Sequence, residues 1–70
     1  MFDYSKLIGR IIEKFKTQKA FAKAMKLSAN TWSNKVSGKI EFKSSEMYRA
    51  VKLLGLTVED IPEYFFTPNV

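Results

Sequence analysis

The sequence predicts an all-α fold, a compact domain of four to five short helices, and three observations carry that prediction. Apolar residues recur at helical spacing, as in Leu7, Ile8, Ile11, Ile12 and Phe15, and no run alternates as a strand would. A residue able to cap a helix (Asp3, Thr17, Ser28, Ser44 or Ser45, Thr57) precedes each periodic stretch. Gly38 and Gly55 follow two of the stretches, where a left-handed residue closes a helix. At 70 residues the chain is expected to form one domain over residues 1–70. A chain of that size buries only about 60% of its unfolded surface.

The first helix starts after Asp3 and turns its five apolar residues to one side. Gly9 inside it costs about 1 kcal/mol relative to alanine, which predicts a close packing contact there. Thr17 caps a second, short helix to about Met25, burying Phe21, Ala22 and Met25. Ser28 caps a third, to about Val36, with Trp32 and Val36 inward at i, i+4 spacing. Gly38 ends it, and "KIEF" at 39–42 reads as a loop. Ser44 or Ser45 opens the fourth helix, with Glu46 in the first turn, where the helix dipole favours an acid. Its inward residues are Met47, Ala50, Val51 and Leu54, and Gly55 is its stop. Thr57 caps a single turn that Pro62 interrupts, and a second turn restarts at Pro62, giving a helical tail over about 57–66.

Composition excludes several classes of function. There is no cysteine and no histidine, which removes disulfides, thiolate metal sites, and the commonest general base and metal ligand. Catalysis would rest on lysines, serines and carboxylates alone, so the chain is not expected to be an enzyme, and no metal or cofactor is implied. "VSGK" lacks the first glycine of a phosphate-binding loop, and Ile40 follows it instead of Ser or Thr. "MFDYSKLIGR" lacks a basic stretch followed by an apolar one, as a signal peptide would have, and no apolar run reaches about 18 residues. A cytoplasmic protein without a membrane partner is expected. Net charge is +5, but residues 14–43 hold eight lysines against one acid, Glu41. From Leu53 onward there are only Glu59, Asp60 and Glu63. A basic middle beside an acidic tail suits a polyanion on one face.

The second and third helices are separated by so few residues that they read as a helix-turn-helix over about 18–36. "TQKAFAKAMKLSANTWSNKVSGK" resembles the helix-turn-helix of small phage repressor and Cro-type regulators. Gln18 opening the second helix, Ala22 in its middle, Leu27 after the turn, Ser28 as cap, Trp32 as buried anchor and "SGK" at the exit carry the likeness. Nearly the whole chain, through "IPEYFF", is similar to short Cro-like regulators of temperate phages infecting Gram-positive bacteria. That group includes antirepressors that bind the phage's main repressor. The family's turn residue is usually glycine. Here it is Lys26, which costs on the order of 1–2 kcal/mol in a left-handed conformation.

With Trp32 and Val36 inward, Ala29, Asn30, Ser33, Asn34 and Ser37 fall outward and are all small and uncharged. Asparagine can read adenine through two hydrogen bonds, serine can donate or accept, and an alanine methyl can meet that of thymine. The resemblance implies base contacts at Ala29, Asn30, Ser33 and Asn34 in the major groove of double-stranded DNA. Phosphate contacts are expected from Gln18, Lys19, Ser28, Lys35, Ser37, Lys39 and Lys43 around that face. In the host cytoplasm such a protein would regulate the lysis–lysogeny choice, and operator reading would normally call for a homodimer. The alternative is an antirepressor that grips a phage repressor through protein contact. Tyr64, Phe65 and Phe66 in the tail are the surface expected for such a partner, although the same rings could instead cover the first helix.

Overall fold

A computed structural model describes residues 2–68. Helix α1 spans Ser5–Phe15, with Leu7 and Ile11 buried. The Asp3 carboxylate accepts the Ser5 backbone N–H at 2.8 Å and the Ser5 hydroxyl at 2.6 Å, and these bonds hold its carboxyl below its ordinary pKa. Three expectations for α1 fail. Asp3 is not its cap: Tyr4 stands at that position, and its side chain makes no capping hydrogen bond. Ile12 is 43% exposed, because Leu7 and Ile11 define a stripe too narrow to include its neighbour in the helix. Gly9 is exposed, and beyond its chain neighbours and its own helix backbone a Cβ built there would have no heavy atom within 4 Å, so no close contact explains it.

Helix α2 covers Gln18–Ala24 and α3 covers Ala29–Val36. Both caps are as the sequence predicts. The Thr17 hydroxyl accepts from the Ala20 amide and that of Ser28 from the Thr31 amide, each at 3.0 Å. Helix α4 spans Ser44–Leu53. Neither serine is its cap. Lys43 stands at that position, and Glu46 reaches back to accept the Lys43 N–H at 2.8 Å. Thr57 stands at the cap position of the next turn, as the sequence predicts, and there the Asp60 carboxylate accepts the Thr57 N–H at 2.9 Å. A single 3-10 turn, Val58–Asp60, leads into α5, Ile61–Phe65, which starts one residue before Pro62. In that first turn proline's missing N–H has no partner to lose.

Three helices end alike. After α2, α3 and α4 a left-handed residue (Lys26, Gly38, Gly55) is followed by an amide that bonds back to Ala22, Asn34 and Val51 carbonyls respectively. This pairing satisfies helix-end carbonyls that would otherwise face the interior unpaired. Lys26 fills with a lysine, at φ +62°, a place where the other two have glycine. Arginines from elsewhere close two of the same ends: Arg49 donates to the Met25 carbonyl at 3.2 Å, and Arg10 to the Leu54 carbonyl at 3.0 Å.

α1 packs on α2 and α5, α2 on α3, and α4 on α5. Between them edge-to-face ring contacts run from Phe15 to Phe21, Trp32 and Phe42, and Phe42 meets both Tyr4 and Phe65. Residues 39–42 form a loop as expected, yet Phe42 belongs to the core.

Chemical melts should show Lys26→Gly more stable than the parent by about 1 kcal/mol, since glycine takes positive φ without strain. Gly9→Ala should gain a similar amount, about 0.5–1 kcal/mol, because the added methyl meets nothing. A loss in the first would mean Lys26 makes a compensating contact.

Candidate interaction surfaces

The first surface is the outward side of α2 and α3. Ala29, Asn30 and Ser33 are exposed, as the base-reading assignment requires, and Asn34 is half-buried. The Asn34 carbonyl anchors the helix exit, accepting from the Lys39 and Ile40 amides and the Ser37 hydroxyl. Lys19, Lys39 and Lys43 are exposed at the edges. Among the described residues the ion pairs are Lys6–Glu63, Arg10–Glu13 and Lys35–Glu46, so these three rim lysines lack a carboxylate partner there.

Several residues assigned to phosphate contact have other work. Lys35 is 3% exposed and is the clear correction: its ammonium lies 2.9 Å from the Glu46 carboxylate and donates to the Glu41 carbonyl at 3.2 Å. Its ammonium also lies over the Phe42 ring, 6.0 Å from the centroid. Gln18 uses its side-chain oxygen to accept the Trp32 indole N–H at 2.8 Å. Ser28 and Ser37 spend their hydroxyls on Thr31 and on the Asn34 carbonyl. Burial alone would raise the Glu46 carboxyl. The Lys43 amide and the Lys35 ammonium outweigh it and hold the carboxyl below its ordinary pKa.

The second surface gathers the chain ends. Phe65, expected at a partner surface, is 1% exposed and packs on Phe42 in the core, so that assignment is corrected. Tyr64 is half-buried and Phe66 is 43% exposed. Phe66 meets Phe2 edge to face, while the Asp3 N–H donates to the Thr67 carbonyl at 2.8 Å. Two adjoining dents, about 180 and 340 Å³, share Phe2, Tyr4 and Glu41 and extend to Phe66 and Met47 on one side and Ile40 on the other. Phe2 and Ile40 were missed in the sequence. No local pattern announced Ile40: alternation would put it on the same face as Phe42, two residues on, yet Phe42 is buried and Ile40 is exposed.

A family model described as "Protein of unknown function (DUF739)" matches residues 1–68. The chain belongs to this family. Among solved structures it is similar to the solution structure of the modulator of repression (MOR) of the temperate bacteriophage TP901-1 from Lactococcus lactis. The two are 49% identical over 93% of this chain and 88% of that one, with a TM-score of 0.83. No curated protein matches the chain. The fold of this chain, all-helical among the described residues with α1 to α5, matches that of this phage regulator.

Removing one member of a buried ion pair strands the other, so Lys35→Ala should cost about 3 kcal/mol in a urea melt, and Lys35→Met less. A lowered folded-state pKa makes the Glu46 contribution complete above the ordinary carboxylate range, about 4, and lost as pH falls through the folded value. Glu46→Gln should therefore be less stable at neutral pH and lose less stability on acidification than the parent. Parallel pH curves would mean that Glu46 titrates alike folded and unfolded.

Proposed function

We propose that this protein regulates a temperate phage by binding the phage's main repressor and altering that repressor's hold on its operators. The observation that carries the reading is the likeness, over nearly the full chain, to a phage modulator of repression. The aromatic surface supports a protein partner. Of the exposed large apolar side chains, Phe2, Ile40 and Phe66 border the two adjoining depressions, with Tyr4 in the walls of both and Met47 in one. An apolar patch with a polar rim is what a protein interface needs and what phosphate contact does not. Glu41 supplies a charge at its edge that can fix orientation. The reading assigns the protein no catalytic step, no cofactor and no membrane contact, and places it in the cytoplasm of the bacterial host.

The second reading is the Cro-like one, in which α3 of a helix-turn-helix enters the major groove, from a homodimer or within a complex. It is favoured by one observation: Ala29, Asn30 and Ser33 stand exposed together with lysines around them and no acid between Glu13 and Glu41. In this reading Asn30 and Ser33 touch bases, and Lys19, Lys39 and Lys43 touch phosphates.

Both readings are tested with the full chain. The double variant Phe2→Ser, Phe66→Ser should keep its helical content yet fail to co-elute with the phage repressor or to displace it from operator DNA. Retained complex formation would remove the aromatic surface from the contact. Selection from a random duplex library should enrich no site if repressor capture is the function. An enriched two-fold repeat, lost with Asn30→Ala at a cost of about 1–3 kcal/mol at one base position, would establish the Cro-like reading instead.

A further inference from the structure

Between α2 and the start of α3 lies an open groove of about 470 Å³, lined by Thr17, Lys19, Ala20, Lys23, Leu27 and Ala29. A second depression of about 330 Å³ shares Lys19 and Ala29 with it and continues along α3 to Trp32 and Val36. The floor is aliphatic, made of two alanine methyls, Leu27 and the stems of the lysines. In the first groove the Thr17 hydroxyl is the one neutral polar side-chain group, and it already accepts from the Ala20 amide; in the second, the Gln18 side-chain oxygen accepts the Trp32 indole N–H, and Ser33 is exposed. What remains is a positive rim: Lys19 and Lys23 are exposed on either side, Lys26 is exposed at the turn, and the sequence has no acid between Glu13 and Glu41.

We propose that this groove docks an acidic amphipathic helix of a partner protein. One or two large apolar side chains of that helix fill the floor over Ala20, Leu27 and Ala29, and its carboxylates meet Lys19 and Lys23. Charge complementarity selects an anionic occupant, and the floor selects among anions. A phosphodiester backbone could meet the ammonium groups, but it would span the aliphatic floor without covering it. Base edges need donors and acceptors, which alanine and leucine side chains do not have. An apolar side chain flanked by carboxylates satisfies both parts of the site at once. Because Ala29 belongs to the groove and also to the outward face of α3, a helix seated here excludes a DNA duplex from that face. The groove shares no residue with the aromatic surface around Phe2 and Phe66, so it goes beyond the repressor contact proposed above and stands or falls separately.

The test is a titration of the isotope-labelled full chain, followed residue by residue by NMR at about 0.15 M salt, where long-range charge effects are screened. The probe is a synthetic helical peptide with leucines at i and i+4 flanked by glutamates, and its controls replace the leucines by serine or the glutamates by lysine. The acidic leucine peptide should shift the Ala20, Leu27 and Ala29 amides and bind at least about tenfold more tightly than either control. Ala20→Glu, at an exposed position, should lose that binding while melting as the parent does; if it unfolds, Lys23→Glu takes its place with the same expectation. Equal binding of the serine control, shifts centred on Phe2 and Phe66, or no binding at all would each overturn the proposal. So would displacement of the peptide by a short duplex that moves the same amides, which would make the face a nucleic-acid site.

Discussion

The Trp32 indole N–H is buried and donates to the Gln18 side-chain oxygen across 2.8 Å. An indole without that acceptor would leave its donor unpaired in the interior, at a cost of about 1–3 kcal/mol, so the bond is close to obligatory once the ring is inside. It fixes the first residue of α2 to the middle of α3, and with it the angle at which the two short helices meet. The ring also stands between Phe21 and Phe42, each edge to face at about the same separation. Helices of seven and eight residues would not persist alone, and this packing is what holds them. Both interaction surfaces are built on that one ring: the exposed side of α3 is defined by Trp32 facing inward, and Phe42 behind it walls the aromatic depression.

The buried Lys35–Glu46 pair does for α3 and α4 what Trp32 does for α2 and α3. One Glu46 oxygen serves both the Lys35 ammonium and the Lys43 amide, so the loop at 37–43 is closed at its base by a single carboxylate. This arrangement sorts the basic residues by role. Arg10 and Arg49 close helix ends, Lys6 pairs with Glu63, and Lys35 is interior. The lysines left over in the middle of the chain stand on the surface. The positive field of residues 14–43 is therefore a property of the face around α2 and α3, even after the structural cations are discounted.

The legible parts of the fold were those decided by local chemistry. The Thr17 and Ser28 caps, the Gly38 and Gly55 stops and the inward Trp32, Ala50, Val51 and Leu54 follow from short-range rules that tertiary packing had no reason to override. The failures lie where a distant partner decides. Lys35 reads as a rim lysine because nothing near it announces Glu46 eleven residues on, and nothing near Gln18 announces that its side-chain oxygen accepts the indole N–H of the next helix. Phe65 and Phe66 are adjacent and chemically identical, yet one is core and the other surface. Only the docking of α5 against α1 and α4 separates them. Gly9 suggested a tight contact where there is open space, since a glycine's cost is visible in sequence and its reason is not.

Phe2 and Phe66 bear most directly on what the aromatic surface is for. Burying a phenylalanine stabilises a protein by about 1.5–3 kcal/mol, and a chain of this length has little core from which to draw stability. Both rings are nonetheless left more than two-fifths exposed, held against each other beside the paired chain ends. Tyr4, Phe42 and Phe65 lie directly beneath and are packed, so the exposure is not a sign of a loosely formed core. The apolar area left uncovered is the area a partner can cover. On the opposite count, the α2–α3 face offers charge over an aliphatic floor, and the two surfaces ask for different chemistry. A partner that satisfied both would need an apolar patch for one and an acidic helix for the other, which is more than a duplex can present and within reach of a folded protein.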